Sequence, residues 1–361
     1  MPPRILVVNP GSTTTRLALY EGGAVQADST LECPVERLRR CGSVIDQVPM
    51  RTEQVEAFLR ERGVRPADLD AVAARGGPLR PVPGGVYRVN AAMLADARDG
   101  RFVDHISRAA CLIGHLVAAP VHAPVFVVDP VSTDEFDDIS RISGLADLPR
   151  VCLTHALNQK RVARLYAEEV GRPYEALNLI VAHLGGGITL AVHSKGRMID
   201  AVDSNGEGPF SPQRSGGLRV DGLARLVAGR NGDATDFVRG LTRRGGLVSH
   251  LGTEDAREVE RRIDSGAAQA ERVYRALAYQ VAKSAAGLAA VVSGRVDAVL
   301  LTGGLARSDR LTGWIAERIG FLGEVRRYEG EHEMEALHAG AHRALSGRER
   351  VRSYPTGEFE S

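Results

Sequence analysis

The chain has 361 residues, of which 43% are hydrophobic, and its formal net charge is +1 at pH 7. This length and apolar content predict a large core and two domains. A dedicated nucleic-acid surface is not expected, because such binding needs a basic face. No apolar run approaches the ~18 residues of a membrane span. The N-terminus, MPPRILVV, enters the first strand directly and has no signal-peptide layout. With four unpaired cysteines, the expected location is the cytoplasm.

Strand-like and helical patterns alternate along the chain, which predicts an α/β fold. The predicted strands are residues 5–9, 15–20, 71–74, 125–129, 179–183, 188–193 and 298–302. The predicted helices are residues 53–62, 103–118, 155–170, 269–293 and 332–345.

One segment is repeated inside the chain, at residues 5–23 and 179–196. In each copy an apolar strand ends at a polar residue, Asn9 or His183, and continues through a small turn into a second strand. The same 13 positions separate Asn9 from Gly22 and His183 from Gly196. This spacing predicts two duplicated β-hairpins whose turns present backbone N–H groups to phosphates.

The domain boundary is predicted near the helix-ending residues Gly171–Pro173. The N-terminal domain then covers residues 1–175 and is joined by the returning helix 332–345. The nucleotide-binding domain covers residues 176–331. The polar tail, residues 346–361, is predicted to be frayed.

Several common nucleotide motifs are missing. None of the three lysines (Lys160, Lys195 and Lys283) follows a glycine, so there is no P-loop. There is also no GxGxxG motif and no protein-kinase motif set. Any nucleotide must therefore be bound by other means.

A series of motifs, in order over most of the chain, resembles the acetate kinase/butyrate kinase family, and its butyrate kinases most of all. These motifs are VVNPGSTTTRLALY (7–20), ARGGPLRPVPGGVYRVN (74–90), VDPVSTDEFDDISRISGL (128–145), THALNQKRVAR (154–164), VAHLGGGITLAVHSKGRMID (181–200), GEGPFSPQRSGGL (206–218), LTGGLARSD (301–309) and EHEMEAL (331–337).

The resemblance implies two similar domains of the actin-like ATPase, or ribonuclease H-like, duplicated fold with an interdomain cleft. It implies reversible, Mg²⁺-dependent phosphoryl transfer from ATP to a short-chain carboxylate, butanoate for a butyrate kinase, giving an acyl phosphate and ADP. It also implies a homodimer or a higher homo-oligomer.

The resemblance assigns the phosphate and nucleotide contacts to three turns. The first holds Asn9, Ser12, Thr13 and Thr14. The second holds His183, Gly185, Gly186 and Gly187, where glycines let the backbone approach a phosphate. The third holds Gly303 and Gly304, beside the adenosine and ribose in relatives.

Catalytic roles fall to Arg75, Arg214, His155 and His105. A guanidinium can grip carboxylate and phosphoryl oxygens with two parallel hydrogen bonds. By the family pattern Arg75 would hold the carboxylate, with Arg80 as its alternative, while Arg214 and His155 would contact the transferred phosphoryl group. His105 matches a second active-site histidine, although HISR at 105–108 departs from the usual butyrate-kinase HASN.

Metal ligation is assigned to Asn9, Asp129 and Glu333, with Glu331 as the competitor of Glu333. Asp129 ends an apolar strand, a suitable place for a Mg²⁺ ligand. Asn9 stands where most superfold relatives have a metal-serving Asp, and Asn there is typical of the acyl kinases.

Chain length of the substrate is predicted from the residues around the acyl pocket, which are 76–82, Ile106, Leu153 and Thr154. Thr154 replaces the bulky aromatic of acetate kinases and would leave room for a longer tail. Acetate, propionate and isobutyrate remain alternative substrates. A phosphatase or ATPase of the same superfold and a non-catalytic nucleotide-binding module are the remaining alternatives.

Overall fold

The computed structural model describes residues 2–229 and 234–360. The chain divides into two compact units, Met1–Asp134 with His332–Ser361 and Glu135–Glu331. Met1, residues 230–233 and Ser361, which the predicted domains and tail include, lie outside the described residues. Within the described ranges, no helix is long and apolar enough to cross a membrane.

The first unit contains a six-stranded sheet with the strand order β3-β2-β1-β4-β6-β5. Its strands are β1 (Arg4–Pro10), β2 (Thr14–Glu21), β3 (Ala24–Glu32), β4 (Ala71–Ala74), β5 (Val86–Arg88) and β6 (Val125–Val128). Its α-helices are α1 (Val35–Arg39), α2 (Val48–Glu61), α3 (Ala91–Arg98), α4 (Ala110–Ala118) and α12 (Glu333–Leu345). Short 3-10 helices cover Ile45–Gln47, Pro66–Asp68, Ile106–Ala109 and Ala119–Val121.

Helices cover both faces of this sheet. Val127 of β6 belongs to the same buried cluster as Ile113 of α4. Its neighbour Val128 instead lies so close to Gly340 of α12 that an added Cβ there would overlap it. Because successive strand residues point to opposite faces, α4 and α12 pack on opposite sides of the sheet. The parallel strands β4 and β6 are consequently apolar throughout.

The second unit contains a five-stranded sheet with the order β11-β10-β7-β8-β9. Its strands are β7 (Asn178–Leu184), β8 (Ile188–Ser194), β9 (Arg197–Asp203), β10 (Ala298–Gly303) and β11 (Glu324–Glu329). Its α-helices are α5 (Ala156–Glu169), α6 (Val220–Ala228), α7 (Ala234–Arg243), α8 (Gly246–Leu251), α9 (Ala256–Asp264), α10 (Ala268–Ala289) and α11 (Asp309–Ile319). Short 3-10 helices cover Asp138–Arg141, Tyr174–Ala176, Ala290–Val292, Gly304–Arg307 and Gly320–Leu322.

The second sheet is also covered on both faces. Ile180 of β7 packs in one buried cluster with Val281 of α10. The next residue, Val181, packs in another cluster with Val162 of α5. The alternation along β7 therefore places α10 and α5 on opposite sides of the sheet.

The two sheets repeat one pairing scheme, which confirms the predicted duplication. In the first, β1, β2 and β3 form an antiparallel meander, and β1 pairs in parallel with β4, which pairs with β6. In the second, β7, β8 and β9 form the meander, and β7 pairs in parallel with β10, which pairs with β11. Asn9 and His183 occupy corresponding places near the end of the first strand of each hairpin.

The observed division differs from the predicted boundary near residue 175. The second unit begins at Glu135, so it includes α5. Val162 and Tyr166 of this helix are buried against Leu179 and Leu300 of the second sheet. Helix α12 lies in the first unit, where it packs on β1, β4 and β6.

The C-terminal tail is ordered up to residue 360, and the prediction of a frayed tail is wrong. Tyr354 is buried, and its hydroxyl donates to Asp96 Oδ2 at 2.6 Å. Its backbone carbonyl accepts from Asn90 Nδ2 at 2.7 Å, and Arg352 forms a β-bridge with Tyr87. One buried aromatic with polar partners thus anchors an otherwise hydrophilic segment to the first unit.

Candidate active site

Three predicted site residues of the first unit meet at the ends of two neighbouring parallel strands. Asn9 lies at the end of β1, Arg75 directly follows β4, and Glu333 begins α12. Asn9 Nδ2 donates to Glu333 Oε2 at 2.9 Å, and Arg75 Nη1 forms an ion pair with the same oxygen. Parallel strands align their carboxyl ends, so residues far apart in sequence converge here.

A buried arginine that the sequence analysis missed supports the first turn. Arg51 of α2 is fully buried and donates to the backbone carbonyls of Thr14 (2.7 Å), Gly11 (2.8 Å) and Ser12 (3.2 Å). Burial lowers the pKa of Arg51, but a guanidinium remains charged in proteins. Its N–H groups satisfy the hydrogen-bonding capacity of the turn carbonyls. The predicted phosphate-facing residues Ser12 and Thr13 are exposed.

His105 lies at the N-terminus of a 3-10 helix in the first unit. Its Nδ1 accepts from the backbone N–H of Ser107 at 3.3 Å, so His105 caps that helix. Desolvation lowers the pKa of His105, the charge of Arg75 lowers it further, and Asp104 raises it. The structure therefore brings His105 into the electrostatic field of Arg75.

Asp129 is buried at the end of β6 in a left-handed conformation (φ 37°). Its Oδ1 accepts from the backbone N–H of Gly85 at 2.8 Å. Among residues 2–229 and 234–360, no group of three or more His, Cys, Asp or Glu could hold a metal ion. Asn9, Asp129 and Glu333 nevertheless supply the hard oxygen donors that Mg²⁺ prefers, and Mg²⁺ commonly uses one or two carboxylates beside water and phosphate.

The structure distinguishes the paired alternatives by their contacts. Arg80 is held by Asp96, with Nε to Oδ2 at 2.7 Å and Nη2 to Oδ1 at 2.9 Å. Arg75, by contrast, contacts Glu333, which in turn contacts Asn9. Glu331 belongs to the second unit, where its backbone carbonyl accepts from Asn158 Nδ2.

In the second unit the two remaining glycine turns line one cavity of about 480 Å³. The cavity is lined by Gly185, Gly186, Pro212, Gln213, Glu254, Asp255, Arg257, Gly304, Leu305 and Glu331. Gly303 has φ 90°, and a Cβ there would overlap the backbone carbonyl of Leu184. Glycine at this position therefore lets the end of β10 approach the turn that follows β7.

Arg214 lies directly against the second turn. A Cβ on Gly187 would come within 2.6 Å of Arg214 Nη1, so this glycine makes room for the guanidinium. Ser211, which sequence analysis missed, accepts from the backbone N–H of Arg214 at 3.1 Å and donates to the carbonyl of Gly186. Burial lowers the pKa of Arg214 while Asp203 raises it, and the guanidinium stays charged.

His155 and His183 form a stacked pair, with ring centroids 3.9 Å apart and an interplanar angle of 13°. His155 immediately precedes α5, and His183 lies near the end of β7. His155 Nδ1 lies 2.9 Å from Thr189 Oγ1, and His183 Nδ1 lies 2.8 Å from Asn158 Oδ1. The sequence placed both histidines in the site but did not predict that they stack.

The partners Asn158 and Thr189 were also missed, although a sequence signal exists for each. Asn158 follows His155 by three residues, so both lie near one face of the first turn of α5. Thr189 directly opposes His183 across the hairpin. Thr154, predicted to line the acyl pocket, is buried with its hydroxyl 3.8 Å from Met198 Sδ.

Comparison with known proteins finds a family match inside the second unit. The model of the acetokinase family matches residues 151–325, which is just under half of the chain. This segment is similar to the acetokinase family. Members of that family are carboxylate kinases, and the prediction of a phosphotransferase with a carboxyl acceptor is confirmed at that level.

Solved structures of acetokinase-family proteins share the fold over nearly the whole chain. Acetate kinase from Porphyromonas gingivalis is 17% identical with a TM-score of 0.76, covering 94% of this chain and 99% of its own. Acetate kinase from Entamoeba histolytica is 15% identical with a TM-score of 0.76, covering 93% and 98%. Propionate kinase from Francisella tularensis is 18% identical with a TM-score of 0.70, covering 93% and 98%. The predicted two-domain α/β fold is confirmed.

Proposed function

We propose that this protein transfers a phosphoryl group reversibly from ATP to a short-chain carboxylate, with butanoate as the preferred acceptor. The observation that carries the proposal is the second-unit cavity lined by residues of two glycine turns, one of which lies against Arg214. Bare backbone at both turns and an adjacent guanidinium form a site for an anionic, phosphate-bearing ligand.

On the nucleotide side, the phosphates would lie along Gly185–Gly187 and the adenosine near Gly303 and Gly304. Arg214 lies against Gly187, so its charge is available to oxygens bound at that turn. His183 stands near the end of β7, the strand that leads into this turn, and His155 stacks on it. His155 would donate a hydrogen bond to the group in transfer, as the family pattern implies.

On the acceptor side, Arg75 would hold the carboxylate with its guanidinium. In the substrate-free arrangement its partner is the Glu333 carboxylate, the same chemical group that a fatty acid would present. A guanidinium that already binds one carboxylate has the position and charge to bind another. Arg80 is a weaker choice, because Asp96 binds two of its nitrogens.

Asn9, Asp129 and Glu333 would hold Mg²⁺, directly or through water. When bound, this ion would neutralise part of the negative charge on the phosphates. The side chains around that position would hold the bound groups in place. The contact between Asn9 and Glu333 already links β1 to α12.

The proposed reaction needs no general base. A short carboxylic acid has a pKa of roughly 4.3, like that of Glu, so it is an anion at neutral pH. The barrier comes from bringing two anions together, and the remedy is positive charge and in-line positioning. Arg75, Arg214 and the His155 donor supply these without taking up a proton.

The preference for butanoate rests on the butyrate-type details of the motifs, which are Arg75 directly before Gly76 and Gly186 in the middle of the second turn. Each methylene buried adds only about 0.8 kcal/mol, so neighbouring acids should react at a reduced rate. The contact of Thr154 with Met198 offers no support for a larger pocket at that residue.

A hydroxylamine assay tests the function. Protein, Mg-ATP and hydroxylamine are mixed with unbranched C2–C6 acids and with isobutyrate, and acyl hydroxamate is measured. We expect hydroxamate with a maximum at C4. A maximum at C2 or C3 would correct the substrate only. Phosphate release without hydroxamate would indicate a hydrolase, and tight ATP binding without turnover would indicate a binding module.

A further inference from the structure

A buried chain of hydrogen bonds runs from Tyr174 to His155 inside the second unit. Tyr174 Oη lies 2.7 Å from His193 Nδ1, and His193 Nε2 lies 3.2 Å from Gln159 Oε1. Gln159 Nε2 lies 2.8 Å from Thr189 Oγ1, which lies 2.9 Å from His155 Nδ1. Gln159, Thr189 and His193 are all at least 98% buried. Each proton in the chain can therefore be assigned from its partners.

The amide of Gln159 sets the direction of the whole chain. Its Nε2 also donates to the backbone carbonyl of Thr189 at 3.2 Å. A carbonyl can only accept, so the Gln159 nitrogen must face Thr189 and the Gln159 oxygen must face His193.

This orientation determines the tautomer of His193. The Gln159 oxygen can only accept, so His193 Nε2 carries a proton, and Nδ1 accepts from the Tyr174 hydroxyl in the neutral ring. Burial, followed by the charges of Lys160 and Arg164, holds the pKa of His193 well below its ordinary value. His193 is accordingly neutral at physiological pH.

At the other end, Thr189 passes the direction on to His155. Thr189 Oγ1 accepts from Gln159 Nε2 at 2.8 Å and from the backbone N–H of His155 at 3.4 Å, which occupies both of its lone pairs, so its own proton is donated to His155 Nδ1. A neutral His155 then carries its proton on Nε2, because the partner of one ring nitrogen decides which nitrogen is protonated.

The stacked partner has the opposite arrangement. Asn158 Nδ2 donates to the backbone carbonyl of Glu331, so its Oδ1 faces His183 Nδ1. His183 therefore carries a proton on Nδ1, and in the neutral ring its Nε2 is an acceptor. Two stacked imidazoles are thus set by their neighbours to present different groups.

We propose that Thr189 and Gln159 are positioning residues that lock His155 in the Nε2–H tautomer, so that it serves as a hydrogen-bond donor to a phosphoryl oxygen. The role in phosphoryl transfer depends on the proposed function, whereas the tautomer does not. His155 with the proton on Nδ1 would turn a lone pair toward a negatively charged oxygen and lose the interaction.

The tautomer is measured on the full-length protein with ¹⁵N-labelled histidine. Two-bond ¹H–¹⁵N correlations give different patterns for the two neutral tautomers, and the His155 signals are assigned by their loss in His155→Gln. At a pH where the ring is neutral, we expect the Nε2–H pattern for His155 and the Nδ1–H pattern for His183. An Nδ1–H pattern at His155 in the unmodified protein would overturn the proposal, and this measurement requires no variant to fold in its place.

The variant test uses Thr189→Val, which removes the hydroxyl and keeps the shape. We expect a mixed or Nδ1–H pattern at His155 and a kcat lower by about tenfold, which corresponds to about 1.4 kcal/mol, with KM for Mg-ATP changed less than twofold. Thr189→Ser should restore both the tautomer and kcat.

Thr312→Val is the matched control. Thr312 is a buried threonine of α11 in the same unit, and its hydroxyl donates to the backbone carbonyl of Ser308 at 2.7 Å. It should leave the His155 signals and kcat unchanged. An unchanged His155 pattern in folded Thr189→Val would contradict the proposal. The expected tautomers together with a negative hydroxamate assay would instead refute the proposed function alone.

Discussion

The two units place different chemistry on one architecture. In each, the first strand of a duplicated hairpin brings a polar residue to the start of a helix packed on the same sheet. In the first unit, Asn9 meets Glu333 of α12, with Arg75 on the same carboxylate oxygen. In the second, His183 meets His155, which precedes α5. The fold thus determines where polar groups converge, and the side chains determine whether the point holds a charged cluster or a pair of aromatic donors and acceptors.

The hairpin turns themselves are also stabilised differently. In the first, the buried guanidinium of Arg51 on α2 donates hydrogen bonds to the backbone carbonyls of the turn. In the second, a serine hydroxyl performs this task, and the guanidinium of Arg214 instead lies against the glycine backbone. If Arg51 is structural and Arg214 acts on the phosphoryl group as proposed, variants of the two should differ in which quantity changes.

Arg214→Ala should have the largest effect on activity. Loss of the charge beside the second turn is expected to lower kcat by about 10²–10³-fold, as for removal of one oxyanion donor. Steady-state kinetics with butanoate and Mg-ATP measure this. The control is Arg219→Ala, an exposed arginine five residues later whose side chain is 87% accessible. A kcat near that of the unmodified protein would assign Arg214 to structure.

Arg51→Met should act on stability. The substitution removes the Arg51 donor of the Gly11 and Ser12 carbonyls, while the Thr14 carbonyl still accepts from the N–H of Gly11. Each unsatisfied buried group costs about 1–3 kcal/mol, so we expect the free energy of unfolding to fall by about 2–4 kcal/mol after partial hydration. Urea denaturation measures it. Arg37→Met breaks only an exposed ion pair with Glu53. It should lower the free energy of unfolding by less than about 1 kcal/mol, the usual contribution of a surface ion pair. Equal losses in both variants would contradict the role of Arg51.

Arg75→Ala should act on acceptor binding. Charge-assisted hydrogen bonds contribute about 1.5–3 kcal/mol, so KM for the carboxylate should rise by about 10–100-fold while KM for Mg-ATP changes little. Arg80→Ala is the matched control and should leave carboxylate KM within about twofold. If Arg80→Ala raises carboxylate KM and Arg75→Ala does not, the assignment is reversed.

Glu333→Gln should have the smallest effect. It keeps the shape of the side chain but removes the charge that faces Arg75 and Asn9, so we expect the Mg²⁺ concentration for half-maximal rate to rise by about tenfold, the effect of about 1.4 kcal/mol. Glu331→Gln is its counterpart, with a predicted shift below twofold. The same titration distinguishes them, and a larger shift in Glu331→Gln would transfer the metal role.

The sequence predicted the central strands and both hairpins because their signal is local. An apolar run ending in one polar residue identified β1 and β7, and the equal spacing identified the repeat. Strands β3 and β11 were missed because alternating exposed residues and many charges give them little apolar pattern. The contact of Glu333 with Asn9 joins residues 324 positions apart, and only the family pattern, not local periodicity, placed them in one site.

Long-range contacts, polar and apolar, explain the remaining errors. Arg51 lies just before the predicted helix 53–62, and nothing in the sequence around it indicates the turn that it supports. The tail was predicted to fray from its composition, whereas its order depends on the hydrogen bonds of Tyr354 with Asp96 and Asn90. The boundary was placed after α5 because Gly171–Pro173 marks a helix end, and a helix end carries no information about which sheet the helix covers.

Substitution of Gly303 offers a way to abolish nucleotide binding in the second unit while leaving the first unit unchanged. Any side chain there would press on the carbonyl of Leu184 and separate the ends of β10 and β7, where the cavity wall is formed. Gly303→Val should therefore yield a reference protein that does not bind ATP but keeps the contacts of Arg75 and Asn9 with Glu333. Calorimetric titration of such a protein with fatty acids would measure the affinity for the carboxylate alone, without turnover.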